Sequence, residues 1–136
     1  MNLSSDHINV IIHLIKAEVP EVQVVYVFGS YATGQDNEQS DLDIAFLAEA
    51  VLSGLALYDL RQTLAVKLRK DVDIIQLKDA SLVLRNEVVQ GGEPIFTADG
   101  FDRPNYEMLT ISTFLDFQET TRALREDIKK RGYVRK

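Results

Sequence analysis

Gly29 and Ser30 are followed after ten residues by Asp41 and then by Asp43, and this spacing is where the 136-residue chain offers chemistry. Two carboxylates two positions apart on an extended segment share one face, about 6 to 7 Å apart, and repel each other unless a cation lies between them. Hard divalent ions such as Mg²⁺ take oxygen ligands of this kind, usually one or two carboxylates together with substrate phosphates. A Gly-Ser turn complements the pair, because its backbone N–H groups and hydroxyl can meet phosphate oxygens and glycine allows the backbone to come close. A third carboxylate on a neighbouring strand would complete a two-metal site and could take the proton from an attacking hydroxyl. Asp73 is the predicted third acid, with Asp71 on the same face as its alternative.

The elements that must hold these residues follow from periodicity. Ser4, Ser5 and Asp6 offer an N-cap, and Ile8, Ile11, Ile12 and Ile15 recur at helical spacing until Pro20. Val22 to Phe28 is dense in β-branched and aromatic residues and predicts a buried strand ending at Gly29-Ser30. Thr33 to Ser40 reads as a loop, and Asp41 to Leu47 as a strand with Asp41, Asp43, Ala45 and Leu47 on one face. Ser53 caps a predicted second helix with Leu57, Leu60, Leu64 and Leu68 as its stripe, running to about Lys70. Val72 to Leu77 predicts a third strand, with Asp71, Asp73 and Ile75 on one face. A third helix capped by Asp79 follows and closes at Gly91-Gly92. Pro94 to Phe96 predicts a short edge strand, and about 104–131 a long final helix carrying Met108, Ile111, Leu115, Leu124 and Ile128. The fold class is therefore α/β or α+β, a small mixed sheet flanked by helices with a long C-terminal helix. The length predicts a single domain over 1–136, its body at about 4–97.

Composition narrows the chemistry. With 46% hydrophobic and 26% charged residues the chain is that of an ordinary globular protein, and no apolar run approaches bilayer-spanning length. These features, with no basic-then-apolar N-terminus, predict a cytoplasmic protein. Zero cysteines exclude disulfides, thiolate metal sites and thiol nucleophiles, and two histidines leave little for a zinc centre. Residues 1–100 hold seven Lys/Arg against fifteen Asp/Glu, net -8, whereas 101–136 hold eight against six, net +2. The basic excess lies at the end, Leu124 to Lys136, where a solvated helix terminus favours cations. An acidic body argues against direct nucleic-acid binding.

The runs Phe28-Gly-Ser-Tyr-Ala-Thr-Gly34, Ser40-Asp-Leu-Asp-Ile-Ala45 and Val72-Asp-Ile-Ile75 resemble the nucleotidyltransferase superfamily related to DNA polymerase β. More closely, with the small size and the segment from Leu84 to Phe96, the chain resembles the minimal nucleotidyltransferase (MNT) antitoxins that accompany HEPN-domain toxins. The resemblance implies a polymerase β-like fold, ATP as donor, Mg²⁺ as cofactor, and transfer of AMP to a tyrosine hydroxyl of a cognate HEPN RNase. Carried over position by position, Gly29 and Ser30 would hold the triphosphate, Asp41 and Asp43 would ligate metal, and Asp73 would be the third acid and metal ligand. Gln76-Leu77 departs from the pattern, since a second acid is common there. Arg61, Lys67, Arg69, Lys70 and Arg85 all stand as candidates for the cation that steadies the pyrophosphate. Two other readings compete: an antitoxin that neutralises its toxin by binding alone, and a transferase for a small molecule of the aminoglycoside kind.

Overall fold

A computed structural model describes residues 3–37 and 39–131. Glu38 of the predicted loop and residues 132–136 of the basic tail lie outside the described residues. Helix α1 (Ser5–Glu18) begins where the Ser4 hydroxyl accepts from the His7 backbone N–H, and it buries Ile11 and Ile15. Strand β1 (Val24–Phe28) is buried along its whole length and runs into a four-residue helical turn, α2 (Ser30–Thr33), in place of the expected plain turn. Strand β2 (Leu42–Leu47), helix α3 (Gly54–Leu68) and strand β3 (Val72–Gln76) follow as the sequence predicts. Helix α4 (Leu82–Gly91), strand β4 (Glu93–Thr97) and the 29-residue helix α5 (Arg103–Arg131) complete the chain.

One expectation is corrected. Asp79 does not cap α4; it ends a 3-10 turn over Leu77–Asp79, and Ser81 is the cap. Ser81 has the extended backbone that lets its hydroxyl accept from the Leu84 N–H at 3.1 Å.

The four strands lie in the order β3-β2-β1-β4. β1 pairs antiparallel with β2 and β4, while β2 and β3 are parallel with α3 as the crossover, so the sheet is mixed. Its two faces bury separate clusters. On one, Val25, Val27, Leu42, Ile44, Phe46 and Ile74 pack with Ile11 and Ile15 of α1 and Leu60, Leu64 and Leu68 of α3. On the other, Val24, Tyr26, Phe28 and Ala45 pack with Val88 and Val89 of α4 and with Tyr106 and Ile111 of α5. Asp43, alternating with Ile44, faces this second side.

A polar bolt holds the loop after β2. The buried Gln76 amide accepts from the Leu52 N–H at 2.6 Å and donates to the Leu52 carbonyl at 3.1 Å. Gln76 lies at the end of β3 away from Asp73, which gives the departure noted in the sequence a structural role. Among the described residues no helix is long and apolar enough to cross a membrane. Gln76→Leu leaves both Leu52 backbone groups unpaired, and urea denaturation should show a loss of about 1–3 kcal/mol.

Candidate active site

The site is built where β1 ends. Gly29 leaves the strand with φ +73°, and an added Cβ would come within 2.3 Å of Asp43 Oδ2. The backbone favours glycine: the left-handed φ is strained for an L side chain, and a Cβ would in addition make the Asp43 carboxylate move aside. The register pairs Phe28 with Asp43 across β1 and β2, so the Gly29 backbone lies flush against that acid. The turn is then closed by its own amides. Ala32 and Thr33 N–H donate to the Gly29 carbonyl at 3.1 and 3.3 Å, and Gln35 N–H donates to the Ser30 carbonyl at 2.9 Å, with Gly34 left-handed at the C-cap. The polar loop beyond is braced by Ser40, whose hydroxyl accepts from the Asn37 N–H at 2.9 Å.

The parallel pairing of β2 and β3 places Asp43 directly beside Asp73. The Leu42 N–H donates to the Asp71 carbonyl at 2.9 Å, which aligns the two strand beginnings and sets the exposed Asp41 at the same edge. Burial pushes the Asp43 carboxyl up to about 6, and the neighbouring charges of Asp73, Asp41 and Glu87, in that order, add to the effect. The three predicted acids therefore meet at one edge. Asp71, the alternative third acid, is exposed and gives its backbone carbonyl to the Leu42 N–H, while Asp73 is the residue paired with Asp43. Glu87 of α4 is a fourth acid that sequence reading missed, because only the packing of α4 over the sheet brings it near.

These residues fit a divalent cation of limited protein ligation. Among the described residues no three or more His, Cys, Asp or Glu side chains form a ready-made metal cage. A half-buried carboxylate raised by its like-charged neighbours nevertheless suits a hard ion that takes one or two protein oxygens and completes its shell from water and substrate phosphates.

Of the candidate cations, Lys70 lies nearest this architecture in kind: its Nζ donates to the hydroxyl of Tyr31 at 2.5 Å, one residue along from Ser30. Arg85 instead lines a cavity with Leu47, Ala48, Leu77 and Lys78, at the opposite ends of β2 and β3. Arg61 lies over the Tyr58 ring at 5.3 Å on α3. Tyr31 itself is buried in the cluster between the sheet and helices α1 and α3. His7 is half-buried and His13 exposed, both away from the acids on α1.

The polymerase beta, nucleotidyltransferase family matches residues 9–100. A protein adenylyltransferase, MntA, of Shewanella oneidensis is 37% identical over 120 residues, spanning 88% of this chain and 86% of that protein. A crystal structure of a toxin-antitoxin with AMP-PNP superposes with a TM-score of 0.80 at 36% identity, covering 90% of this chain and 98% of the other. A tri-AMPylated Shewanella oneidensis HEPN toxin in complex with an MNT antitoxin contains a chain with a TM-score of 0.77 and 33% identity, covering 93% and 99%.

The raised Asp43 carboxyl has a consequence for stability. The folded state holds this proton more tightly than an unfolded aspartate does, so Asp43 favours folding below about pH 4 and that contribution is lost as the pH rises to about 6. Asp43→Asn should therefore melt higher than the parent protein near neutral pH, with the difference vanishing around pH 4. Mg²⁺ should raise the parent's melting temperature more than the variant's in the same calorimetric series.

Proposed function

This chain belongs to the polymerase beta nucleotidyltransferase family, and we propose that it is an antitoxin that transfers AMP from ATP to a tyrosine hydroxyl of a HEPN-domain RNase, silencing it. The observation that carries the reading is the Asp41–Asp43–Asp73 edge closing on a left-handed glycine whose backbone abuts Asp43. Its support from related proteins is the 37% identity to a protein adenylyltransferase and the AMPylated toxin held by an MNT antitoxin of the same fold.

In this reading the N–H groups and hydroxyl of the Gly29-Ser30 turn hold the triphosphate, and Asp41, Asp43 and Asp73 are the ligands of a two-Mg²⁺ site. Bound there, magnesium supplies positive charge to the phosphates and lowers the cost of crowding the acids together. Asp73, exposed at the open side of the edge, takes the proton of the incoming hydroxyl. The hydroxyl oxygen bonds to the α-phosphorus, the bond from that phosphorus to the β-phosphate bridge breaks, and pyrophosphate leaves with the electron pair. The reading places the protein in the cytoplasm with its ATP and its target.

A protein acceptor is supported by α5. Residues 4–97 form the catalytic body in this reading, and α5 continues beyond it: from Leu115 to Lys130 every residue except Thr121 is exposed. Thr110, Phe114, Phe117, Thr121, Leu124 and Ile128 follow a four-three spacing that makes one stripe along the helix. Its distal members Phe117, Leu124 and Ile128 are 50%, 59% and 49% exposed. A helix end without packing is marginal on its own, so this stripe suits an apolar surface on the toxin.

Intact-mass spectrometry of the cognate toxin, incubated with this protein, ATP and Mg²⁺, should show added AMP units. Asp41→Asn with Asp43→Asn should abolish them while the fold and the complex persist. Full neutralisation by that double variant would favour binding alone. Phe117→Glu with Leu124→Glu should weaken the complex about tenfold or more without lowering AMP-PNP affinity.

A further inference from the structure

We infer that Lys70 is a positioning residue for the phosphate-binding turn, and that it acts through Tyr31. The inference rests on the reading of Gly29-Ser30 as the triphosphate site, and it adds a residue 40 positions away to that site.

The α2 turn is only four residues long, too short to hold its own shape by helical hydrogen bonding. It is pinned from two sides. On one side of the sheet the Gly29 backbone abuts Asp43. On the other, Tyr31 inserts among the core residues between the sheet and helices α1 and α3, and its hydroxyl meets the Lys70 ammonium. The same ammonium stands 4.6 Å from the centre of the Tyr31 ring. The 2.5 and 4.6 Å distances describe one contact, made at the hydroxyl end of the ring.

The backbone that delivers Lys70 is itself unusual. Arg69 ends α3 with φ +58°, and among the described residues it is the one non-glycine with a positive φ. Helix ends of this shape are usually glycine, because a side chain is strained there. The reversal folds Lys70 back, with its N–H on the Ala65 carbonyl at 3.3 Å, and the next residue, Asp71, meets Leu42 at the start of β2. A strained backbone kept beside a candidate site marks a position the surroundings enforce. The path from α3 into β3 therefore sets two things together: the strand that carries Asp73, and the cation that steadies the turn carrying Ser30.

A double-mutant cycle on the full chain tests this. Lys70→Met and Tyr31→Phe should each lower AMP-PNP affinity by about tenfold, raising KM for ATP more than they lower kcat, and the pair should do no worse than either alone. Lys70→Arg should recover most of the affinity. Hydrogen exchange of the nucleotide-free protein should show the Ala32, Thr33 and Gln35 amides losing protection by a similar factor, while the amides of β1 and β2 and the melting temperature stay near their parent values. Additive effects would overturn the inference, because Lys70 would then act without Tyr31. Unchanged protection in Lys70→Met would overturn it as well. Lost protection with AMP-PNP affinity intact would overturn the role in nucleotide binding. The proposed transfer reaction fails separately if the Asp41→Asn, Asp43→Asn variant transfers AMP normally, an outcome that the Lys70 and Tyr31 cycle does not decide.

Discussion

The structure depends on keeping a half-buried carboxylate beside its own kind. Asp43 is partly withdrawn from water and faces Asp73, Asp41 and Glu87, an arrangement that costs folding energy at neutral pH. Nothing local can hold it. Asp43 stays because β2 is a central strand, paired on one side with β1 and on the other with β3, and because Leu42, Ile44 and Phe46 are anchored in the core on the opposite face. The strand cannot slip by one residue to relieve the repulsion without turning that whole apolar set outward. Hydrophobic register thus enforces electrostatic strain, and in the proposed function a bound cation would relieve it.

The glycine follows from the same constraint. With the Asp43 backbone fixed, the chain leaving β1 must pass against its carboxylate, and a Cβ at that point would push the carboxylate aside. The left-handed φ of Gly29 then aims the next residues across the strand end, so Ser30 and the acids share one edge without any loop of unusual length. Gln76 and the Ser53 and Ser81 caps serve the same purpose at greater distance: they fix where α3, β3 and α4 begin and end, and so where Asp73 and Glu87 arrive.

Much of this was legible because it is local. Gly29, Ser30, Asp41 and Asp43 fall within fifteen residues, and period-two alternation alone puts the two acids on one face. Asp73 was legible as an acid on a strand, but its preference over Asp71 depends on the parallel register with β2, which no local pattern encodes. Glu87 and the Lys70–Tyr31 contact were invisible for the same reason: each joins elements separated by dozens of residues. The misplaced cap has a different origin. Asp79 and Ser81 are both good N-caps, and the 3-10 turn that uses up Asp79 has no sequence signature of its own.

The charge partition separates the two tasks that the molecule must perform. Residues 1–100 carry a net charge of -8, the site acids among them, and such a surface repels acidic partners at long range. The exposed part of the stripe on α5 lies beyond that body, with Arg125 between Leu124 and Ile128 and with Lys129 and Lys130 after them. Over 115–130 the acids Asp116, Glu119, Glu126 and Asp127 are balanced by Arg122, Arg125, Lys129 and Lys130, so this stretch lacks the acidic excess of the body. In the proposed function the long helix offers a protein substrate a docking surface beyond the acidic body, and docking there would raise the local concentration of the acceptor hydroxyl. A body of this size can then dispense with an acceptor pocket, because the partner presents its own hydroxyl.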